Sequence, residues 1–378
     1  MRRISLALIL ALLLSLVGCH KTEQPPETDV PPVEETDPLP GEPLHMDTLR
    51  LEISRNDADK ALMLRAVREL PELLRAYFAE ADLCGGIAID RVEVTVGTSA
   101  AATAQALAEG KIDLAFLPAE DLVLYGGGAQ VLQGNAPQPR LEPSGNSLSI
   151  ADWNGSQNAK TYEKDTPWDG GTAALVCAAP TEYGRQLAKR AESGAALTWA
   201  ELDKARWGVL AADSMGGYRC ANLYLADHYK GNEIEDLSDV TRYDSYEDLL
   251  RAAAEEEIDL LVIRKDARMD VAEAWTLECS RAGAGGMQGF GRKEPVWEEV
   301  RCVAVTETLY TVVAASAPGR EELSGGSWFN GALDEVLYRL YLHEPELMGA
   351  LGSARFVPLE DWELDALRRA LTIEGKTA

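Results

Sequence analysis

The chain has few of the residues that build metal sites, and it is short of positive charge. Its 378 residues include four histidines and six cysteines, and none of these stand at metal-ligand spacing, so we expect no metal site. Lys and Arg number 36 against 62 Asp and Glu, a formal net charge of −26. Because nucleic acids are bound through basic contacts to phosphate, we expect no nucleic-acid partner. An anionic small ligand would need local donors to hold it against the overall field.

Signatures of common enzyme active sites are missing as well. The sequence has no GxSxG nucleophile elbow, no HExxH zinc motif and no P-loop. The adjacent carboxylates Glu120 and Asp121 are poorly placed for paired acid–base chemistry, because neighbouring residues in a strand-turn point in different directions. We therefore expect a protein that is not an enzyme and that uses no cofactor.

The first residues have the pattern of a secretory signal. Arg2 and Arg3 precede an apolar run over 4–17, and Gly18 and Cys19 follow. A positive start, a short apolar run and small residues before a cut site are typical of such signals. The run is shorter than the ~20 apolar residues of a membrane-spanning helix, which argues against a transmembrane anchor.

The tetrapeptide LVGC over 16–19 resembles the lipobox of bacterial lipoproteins, in which the cysteine is diacylated and becomes the first mature residue. This resemblance implies a signal peptide over 1–18, lipidation of Cys19 and a place on the extracytoplasmic face of a cell membrane. Two or more acyl chains give stable anchoring. The following residues to 48 are rich in Pro, Glu, Asp and Thr without an apolar period, which predicts a disordered tether over 19–48.

The roughly 330 residues after the tether favour two lobes rather than one core. In the first part we expect strands over 49–54, 87–96 and 112–117, and helices over 59–81 and from Ser99 to Gly110. Pro71 should kink or split the first helix. Alternation of strand and helix predicts a mostly parallel sheet covered by helices.

The rest of the chain continues this alternation. We expect strands over 172–178, 207–211, 258–263 and 303–314. We expect helices over 187–204 with a break at Gly194, from the end of the loop at 213–218 to about Tyr229, and over 246–256, 330–342 and 361–371. The polar stretch 135–171 is long for a loop, and we expect a surface excursion near the lobe junction. ALAEGKIDLAFLP over 106–118 is echoed by RAAAEEEIDLLVIR over 251–264, either by coincidence or because the lobes are similar.

Four segments carry a resemblance when they are taken together: 101–125 ending in EGKIDLAFLPAEDLVLY, 207–218 with GVLAADSMGGY, 246–263, and the C-terminal ARFVPLEDWELDALRRAL. In their order and spacing they resemble the substrate-binding proteins of ABC importers, in the phosphate/phosphonate branch with the two-lobe type II periplasmic-binding fold. The resemblance implies an α/β fold of two lobes, each a mainly parallel sheet covered by helices, with the ligand cleft between them. It places the first lobe at 49–177 and 306–378 and the second lobe at 178–305.

The loop at 213–218 is the main candidate ligand site. A strand ends there, two glycines let the backbone approach a ligand, and free N–H groups at a helix start favour an anion or a polar group. The predicted ligand-binding residues are Ser99, Glu120, Ser214, Met215, Gly216, Gly217 and Tyr218. The alternative is an ordinary helix start with Asp213 or Ser214 as its cap, and Ser99, with Thr98, is equally compatible with capping the first-lobe helix.

This sequence departs from the family pattern at two places. Met215 and Gly216 stand where hydroxyl residues are usual, and Glu120 and Asp121 would repel a dianion. A zwitterionic or cationic organophosphorus compound, or a neutral polar ligand, would tolerate these changes better than a phosphonate. The remaining candidates are Arg264 or Arg219 as countercharge, Tyr125 and Tyr183 as walls of the cleft, and Trp153 and Trp168 as a hydrophobic flap. The alternative is that the arginines are solvated surface residues and that the aromatic residues pack in small hydrophobic clusters.

The expected function is solute capture by hinge closure in an extracytoplasmic lipoprotein of an ABC importer. The solute is a small phosphonate-like, phosphate-like or related polar molecule, the protein partner is the transporter permease, and the chain acts as a monomer. The chain would cross between lobes near 177–181 and 304–311. The alternative is a ligand-sensing or degenerate binding lipoprotein that acts through a protein partner. The five remaining cysteines (Cys84, Cys177, Cys220, Cys279 and Cys302) are either buried and reduced or partly paired in a disulfide.

Overall fold

The computed structural model describes residues 44–376, apart from residue 57, residues 82–85 and residues 164–167. The predicted signal peptide, the lipidation at Cys19, most of the tether and Cys84 lie outside the described residues. Those that are described belong to one compact unit, Glu42–Ala378. No helix within this described part has both the length and the apolar character needed to cross a membrane.

Strands and helices alternate through most of the described chain. The strands are β1 Leu44–Ile53, β2 Ile87–Val96, β3 Leu114–Pro118, β4 Gln130–Ala136, β5 Gln138–Pro139, β6 Leu141–Glu142, β7 Thr161–Tyr162, β8 Trp168–Asp169, β9 Ala174–Ala178, β10 Trp207–Val209, β11 Val240–Arg242, β12 Leu260–Arg264, β13 Arg301–Val305, β14 Val312–Ser316 and β15 Arg355–Pro358. The helices are α1 Lys60–Ala79, α2 Ala100–Ala108, α3 Ala119–Tyr125, α4 Glu182–Glu192, α5 Trp199–Asp203, α6 Cys220–His228, α7 Tyr246–Ala254, α8 Arg268–Trp275, α9 Val296–Glu299, α10 Trp328–His343, α11 Pro345–Ala350 and α12 Asp365–Ile373.

Two mixed sheets organise these elements, which confirms the predicted α/β fold class. The six-stranded sheet has the order β15-β4-β14-β3-β1-β2, and the five-stranded sheet has the order β11-β10-β12-β9-β13. β1 pairs in parallel with β2 and β3, and β10 with β11 and β12, whereas β14 and β9 pair antiparallel with both of their neighbours. In each sheet four strands therefore run in one direction.

The six-stranded sheet is stabilised by helices that bury one apolar stripe each. In α1 the buried side chains recur every three or four residues (Met63, Ala66, Leu70, Leu74 and Phe78), which is one face of a helix. Phe78 stacks on Phe329 of α10 with ring centroids 5.2 Å apart. α1 continues through Pro71 as one helix, so the proline does not split it.

Two segments differ from the sequence prediction. The single long strand expected over 303–314 is wrong: β13 belongs to the five-stranded sheet and β14 to the six-stranded one, so the chain crosses between sheets at 306–311. β1 begins at Leu44, five residues before the expected start at 49, because it pairs with β2 from Leu44 onwards. The predicted lobe limits stay predictions; strand Ala174–Ala178 pairs within the five-stranded sheet.

The repeated Ile-Asp-Leu motif marks the same local structure in both sheets. Asp113, just before β3, accepts hydrogen bonds from the backbone N–H of Arg50 at 2.9 Å and from its Nε at 3.0 Å. Asp259, just before β12, accepts from the backbone N–H and Nε of Arg206, each at 3.0 Å. In each case the arginine lies at the neighbouring parallel strand. The echo in the sequence therefore corresponds to an aspartate–arginine clamp that joins two parallel strands.

Candidate functional site

The loop predicted to bind ligand begins a helix, as expected from its sequence. After β10, Met215–Arg219 forms a π-helical turn that continues into α6. The side chain of Ser214 accepts a hydrogen bond from the N–H of Gly217 at 3.2 Å, so it caps the turn. A Cβ on Gly216 would lie 2.8 Å from Cβ of Arg264 and 3.1 Å from Cγ2 of Thr172. Close packing against two other segments is thus one reason for a glycine at this position.

Tyr218 does not present a free hydroxyl to solvent. It is 6% exposed, and its hydroxyl donates to Oε1 of Glu235 at 2.8 Å. Burial, reinforced by the hydrogen bond to Glu235, raises the pKa of Tyr218 above its ordinary value. Met215 is partly buried against the core. Of the predicted ligand-binding residues, Tyr218 is therefore packed inside the protein and Met215 is partly so.

Glu120, at the start of α3, is brought close to this loop through Arg219. Arg219 lies 3.5 Å from Glu120 and donates to Glu374 through Nε at 2.9 Å. Lys376 also donates to Glu120 at 2.6 Å. Of the two arginines considered as countercharges for a ligand, Arg219 thus forms ion pairs with Glu120 and with Glu374 in the segment that follows α12.

The other candidates have local partners. Ser99 caps α2 by accepting from the N–H of Ala102 at 3.2 Å. Tyr183 donates to the carbonyl of Glu201 at 2.9 Å. Trp153 is fully buried, and Trp168 packs edge-on against Tyr341. These contacts agree with capping and packing; a ligand-binding role for Ser99 stays a prediction.

A cavity of about 260 Å³ lies where the chain passes from the six-stranded sheet to the five-stranded sheet. Its lining comprises Pro137, Gln138, Tyr162, Asp169, Gly170, Gly171, Thr172, Ala173, Arg264 and Lys265. The two crossing segments are tied together beside it, because Thr172 and Leu309 exchange backbone hydrogen bonds of 2.7 and 2.8 Å. We call this space the junction cavity.

Asp169 is the unusual residue of the junction cavity. It is 4% exposed, yet no described residue donates a hydrogen bond to either of its carboxylate oxygens. Nε of Arg140 lies 3.6 Å from Oδ1, close enough for an ion pair, but no described residue accepts a hydrogen bond from that nitrogen. Buried polar groups are nearly always hydrogen-bonded, so Asp169 is suited to accept from a molecule in the cavity.

Two basic residues face the same cavity from the end of β12. Lys265 is 8% exposed, and its ammonium donates to Oδ1 of Asn146 at 3.3 Å. Burial lowers the pKa of Lys265, while the charge of Asp169 opposes that shift. Arg264 pairs with Asp270 at 2.6 Å. The cavity therefore offers a carboxylate on one strand and an ammonium on another, a combination suited to a small solute with groups of both signs.

A metal site is not indicated at this cavity. Among the described residues, His45, Asp47 and Asp90 place ligand atoms within 4.8 Å of one another, but all three are exposed at the far end of β1 and β2. Exposed acidic groups of this kind are common without an ion, and nothing else at that surface points to a ligand.

The sequence did not reveal Asp169 and Lys265. The stretch 135–171 stood out as a long polar segment near the junction, which is where the cavity lies, but no residue in it was singled out as a charged ligand. Burial of Asp169 arises from pairing of β8 with β5, in which Asp169 is the partner of Gln138. Such pairing across thirty residues of irregular chain has no periodic signal. Arg264 was the one lining residue that the sequence suggested as a ligand contact.

Comparisons with known proteins give similar solved structures at low identity. No family model and no curated protein match the chain. XAC2383 from Xanthomonas citri, bound to ATP, is 12% identical with a TM-score of 0.40, over 87% of this chain and 98% of its own. PhnD1 from Prochlorococcus marinus in complex with methylphosphonate is 11% identical with a TM-score of 0.35, over 87% and 99%. The alkanesulfonate-binding protein SsuA from Xanthomonas axonopodis pv. citri, bound to MOPS, is 14% identical with a TM-score of 0.31, over 87% and 92%. At these values, ligand and function have to be argued from the side chains of this chain.

Proposed function

We propose that this protein is an extracytoplasmic solute-binding lipoprotein of an ABC importer, and that it holds a small polar solute in the junction cavity without catalysing a reaction. The observation that carries the proposal is the buried carboxylate of Asp169, which receives no hydrogen bond from the described residues and lies in a cavity that also contains Lys265. An unsatisfied buried charge is costly, and a solute that donates to it removes that cost. Binding of such a solute should therefore raise the stability of the folded protein.

The size and charge of the junction cavity define the solute class. About 260 Å³ lies just below the roughly 300–1,000 Å³ that is usual for small-molecule sites, which favours a small solute. A donor group such as an ammonium would bind Asp169, and an acid group such as a phosphonate, sulfonate or carboxylate would bind Lys265. A small zwitterion therefore satisfies both ends of the site, and the overall negative charge of the protein does not repel it.

The crossing segments support capture by closure. Within the described residues the chain passes between the two sheets twice, through the long connection from β4 to β9 and the short one from β13 to β14. Two crossings allow the sheets to close as rigid bodies about a ligand at the junction. The ligand favours the closed form by its differential contacts, and the importer's permease would recognise that form.

The test is thermal unfolding of the purified protein against matched probes: β-alanine, propionate and propylamine, followed by aminoalkyl and alkyl phosphonates and sulfonates. A probe at 100 times its dissociation constant adds ~2.7 kcal/mol to the folded state. We expect a zwitterion to stabilise most, and Asp169→Asn to lose that response. Asp47→Asn is the matched control, because the Asp47 side chain is 95% exposed.

A second candidate function is a degenerate binding lipoprotein that acts through a protein partner. It is favoured by the loop at 214–218, whose Ser214 and Tyr218 are already engaged within the protein. A flat response to every probe class, with wild-type behaviour of Asp169→Asn, would favour this role over solute capture.

The membrane location needs its own measurement. Labelling of growing cells with a radioactive fatty acid should mark the wild-type protein and leave Cys19→Ser unlabelled. A labelled Cys19→Ser variant would rule out lipidation at Cys19. That result would not bear on the proposed solute site.

A further inference from the structure

Two buried cysteines lie opposite each other on neighbouring strands of the five-stranded sheet. Cys177 on β9 and Cys302 on β13 are register partners in an antiparallel pair. Both are thiols and both are fully buried. Directly opposed residues of antiparallel strands have Cα atoms about 4.5 or 5.5 Å apart, and a disulfide accepts about 4.4–6.8 Å. Either kind of pair is therefore close enough for a bond.

The hydrogen bonds of Cys302 identify which kind of pair it is. Its N–H donates to Oδ1 of Asn154 at 2.7 Å, and its carbonyl accepts from Nδ2 of Asn154 at 2.9 Å. The N–H and C=O of one strand residue point to the same side, so both polar groups of Cys302 face away from β9. Cys177 and Cys302 thus form a non-hydrogen-bonded pair, in which the side chains of opposed residues lie closer together.

The surroundings disfavour the thiolate form of Cys302 in the folded protein. Burial raises the pKa of Cys302, the adjacent Cys177 thiol adds to that shift, and the guanidinium of Arg268 opposes it. A thiol attacks a disulfide as its thiolate, so exchange in the native state should be slow. The bond is expected to form while the chain folds, before the strands close over the sulfurs.

We propose that Cys177 and Cys302 are an oxidation site that forms a cross-strand disulfide with a small-molecule disulfide as oxidant. One cysteine thiolate attacks oxidised glutathione, and one glutathione leaves as a thiol. The second cysteine thiolate then attacks the mixed disulfide and releases the other glutathione. Two electrons pass from the protein to the oxidant, and the two cysteine protons end on the two glutathione thiols. The bond joins the first and last strands of the five-stranded sheet, where the chain enters and leaves it.

The test is to unfold the purified, reduced protein in urea and refold it by dilution into a buffer of reduced and oxidised glutathione. The mixture is quenched with acid, alkylated and mapped by mass spectrometry. We expect a peptide pair joined through Cys177 and Cys302 and a mass loss of about 2 Da relative to the two free thiols. The oxidised protein should also unfold at a higher urea concentration than the reduced protein.

Exposed Cys279 serves as an internal control for the oxidant. If Cys279 carries glutathione while Cys177 and Cys302 are both recovered alkylated, the proposal is overturned. Pairing of either residue with another cysteine would overturn it as well. Cys177→Ala should lose both the linked peptides and the oxidation-dependent shift in urea midpoint; the mapping of the wild-type protein decides the question even if that variant folds poorly.

Discussion

Two buried aspartates, Asp266 just after β12 and Asp169 at the end of β8, have opposite surroundings. Asp266 is fully buried, and it accepts from Arg268 at 2.8 and 2.9 Å and from Nε1 of Trp297 at 3.0 Å. Arg268 itself is fully buried and also donates to the carbonyl of Val300 at 2.7 Å. Asp169 is almost as buried and receives no hydrogen bond from the described residues.

This difference separates a charge that maintains the fold from a charge that is available to a ligand. Around Asp266 every strong donor comes from the protein, so the group is complete without a solute. Asp169, by contrast, receives no hydrogen bond from the described part of the chain, although it lies in a cavity with Lys265. Burial alone therefore does not indicate function; burial combined with unmet hydrogen-bonding capacity does.

Breaking the complete pair should have the largest effect. Arg268→Ala leaves Asp266 as a buried carboxylate without its countercharge, and we expect the free energy of unfolding to fall by about 3–5 kcal/mol. Urea denaturation followed by circular dichroism measures this change. Arg91→Ala is the control, because the Arg91 side chain is 67% exposed, and it should change stability by less than about 0.5 kcal/mol. Equal effects of the two variants would contradict the structural role of the Arg268–Asp266 pair.

The aspartate–arginine clamps should give the next largest effect, together with a defined pH dependence. Burial disfavours the charged form of Asp259, but hydrogen bonds from Arg206 and Thr181 prevail and hold its pKa below the ordinary 3.8. Its stabilising contribution is present above pH 3.8 and is lost as pH falls through the lower, folded-state pKa. Asp259→Asn should cost about 1–3 kcal/mol at neutral pH and should flatten the loss of stability on acidification.

Asp113→Asn is the companion measurement in the six-stranded sheet. The pKa of Asp113 is also lowered, with burial opposing and Arg50 and Arg320 favouring the charged form. A similar loss of unfolding free energy at neutral pH, and a similar change in how that free energy falls with acidification, would show that the two clamps are equivalent. An unchanged acid limb in both variants would contradict the assignment of the pH dependence to these groups.

Asp169→Asn should behave in the opposite way to Arg268→Ala. Without solute, removal of a buried carboxylate that accepts no hydrogen bond from the described residues should leave stability unchanged or raise it by on the order of 1 kcal/mol. The same variant should lose the stabilisation by a zwitterionic probe. Thermal unfolding with and without the probe tests both expectations in one experiment. A loss of several kcal/mol in the probe-free protein would mean that Asp169 is a structural group like Asp266.

The smallest expected effect is the alkaline behaviour of Lys265. Its pKa is lowered by burial, so between that pKa and the ordinary 10.5 the unfolded state binds the proton more tightly than the folded state. Stability should therefore rise with pH through this window. The difference in unfolding free energy between the wild type and Lys265→Met, measured from pH 7 to 10, isolates this contribution. A difference that does not vary with pH would contradict it.

Much of the fold followed from local patterns in the sequence. The apolar period of α1, the alternation in β2 and the glycine break between α4 and α5 were all predicted and are confirmed in the structure. The repeated Ile-Asp-Leu segments pointed to a common unit before the clamps were visible. These features depend on residues close to one another in the chain, which is why periodicity detects them.

The remainder depended on contacts that no local pattern encodes. The residues of β13 and β14 read as one strand because their alternation continues, and only their partners in different sheets divide them. The hydroxyl of Tyr218 appeared available to a ligand until the fold placed Glu235 beside it. Likewise, Asp169 stands out only because no described residue, near or distant in sequence, donates a hydrogen bond to its carboxylate. Exposed helix starts are readable from sequence, whereas unmet hydrogen bonds in the interior are not.

The position of the five-stranded sheet in the chain has a consequence for how this protein can be rebuilt. All five strands, β9 to β13, come from one uninterrupted stretch between β4 and β14, and its first and last strands are neighbours with Val176 opposite Ala304. A stretch whose two ends meet can enter a gene as a single insertion without disturbing the host sheet. Because its two ends are adjacent, this stretch could also be exchanged between relatives as one piece, by joining two neighbouring strand ends.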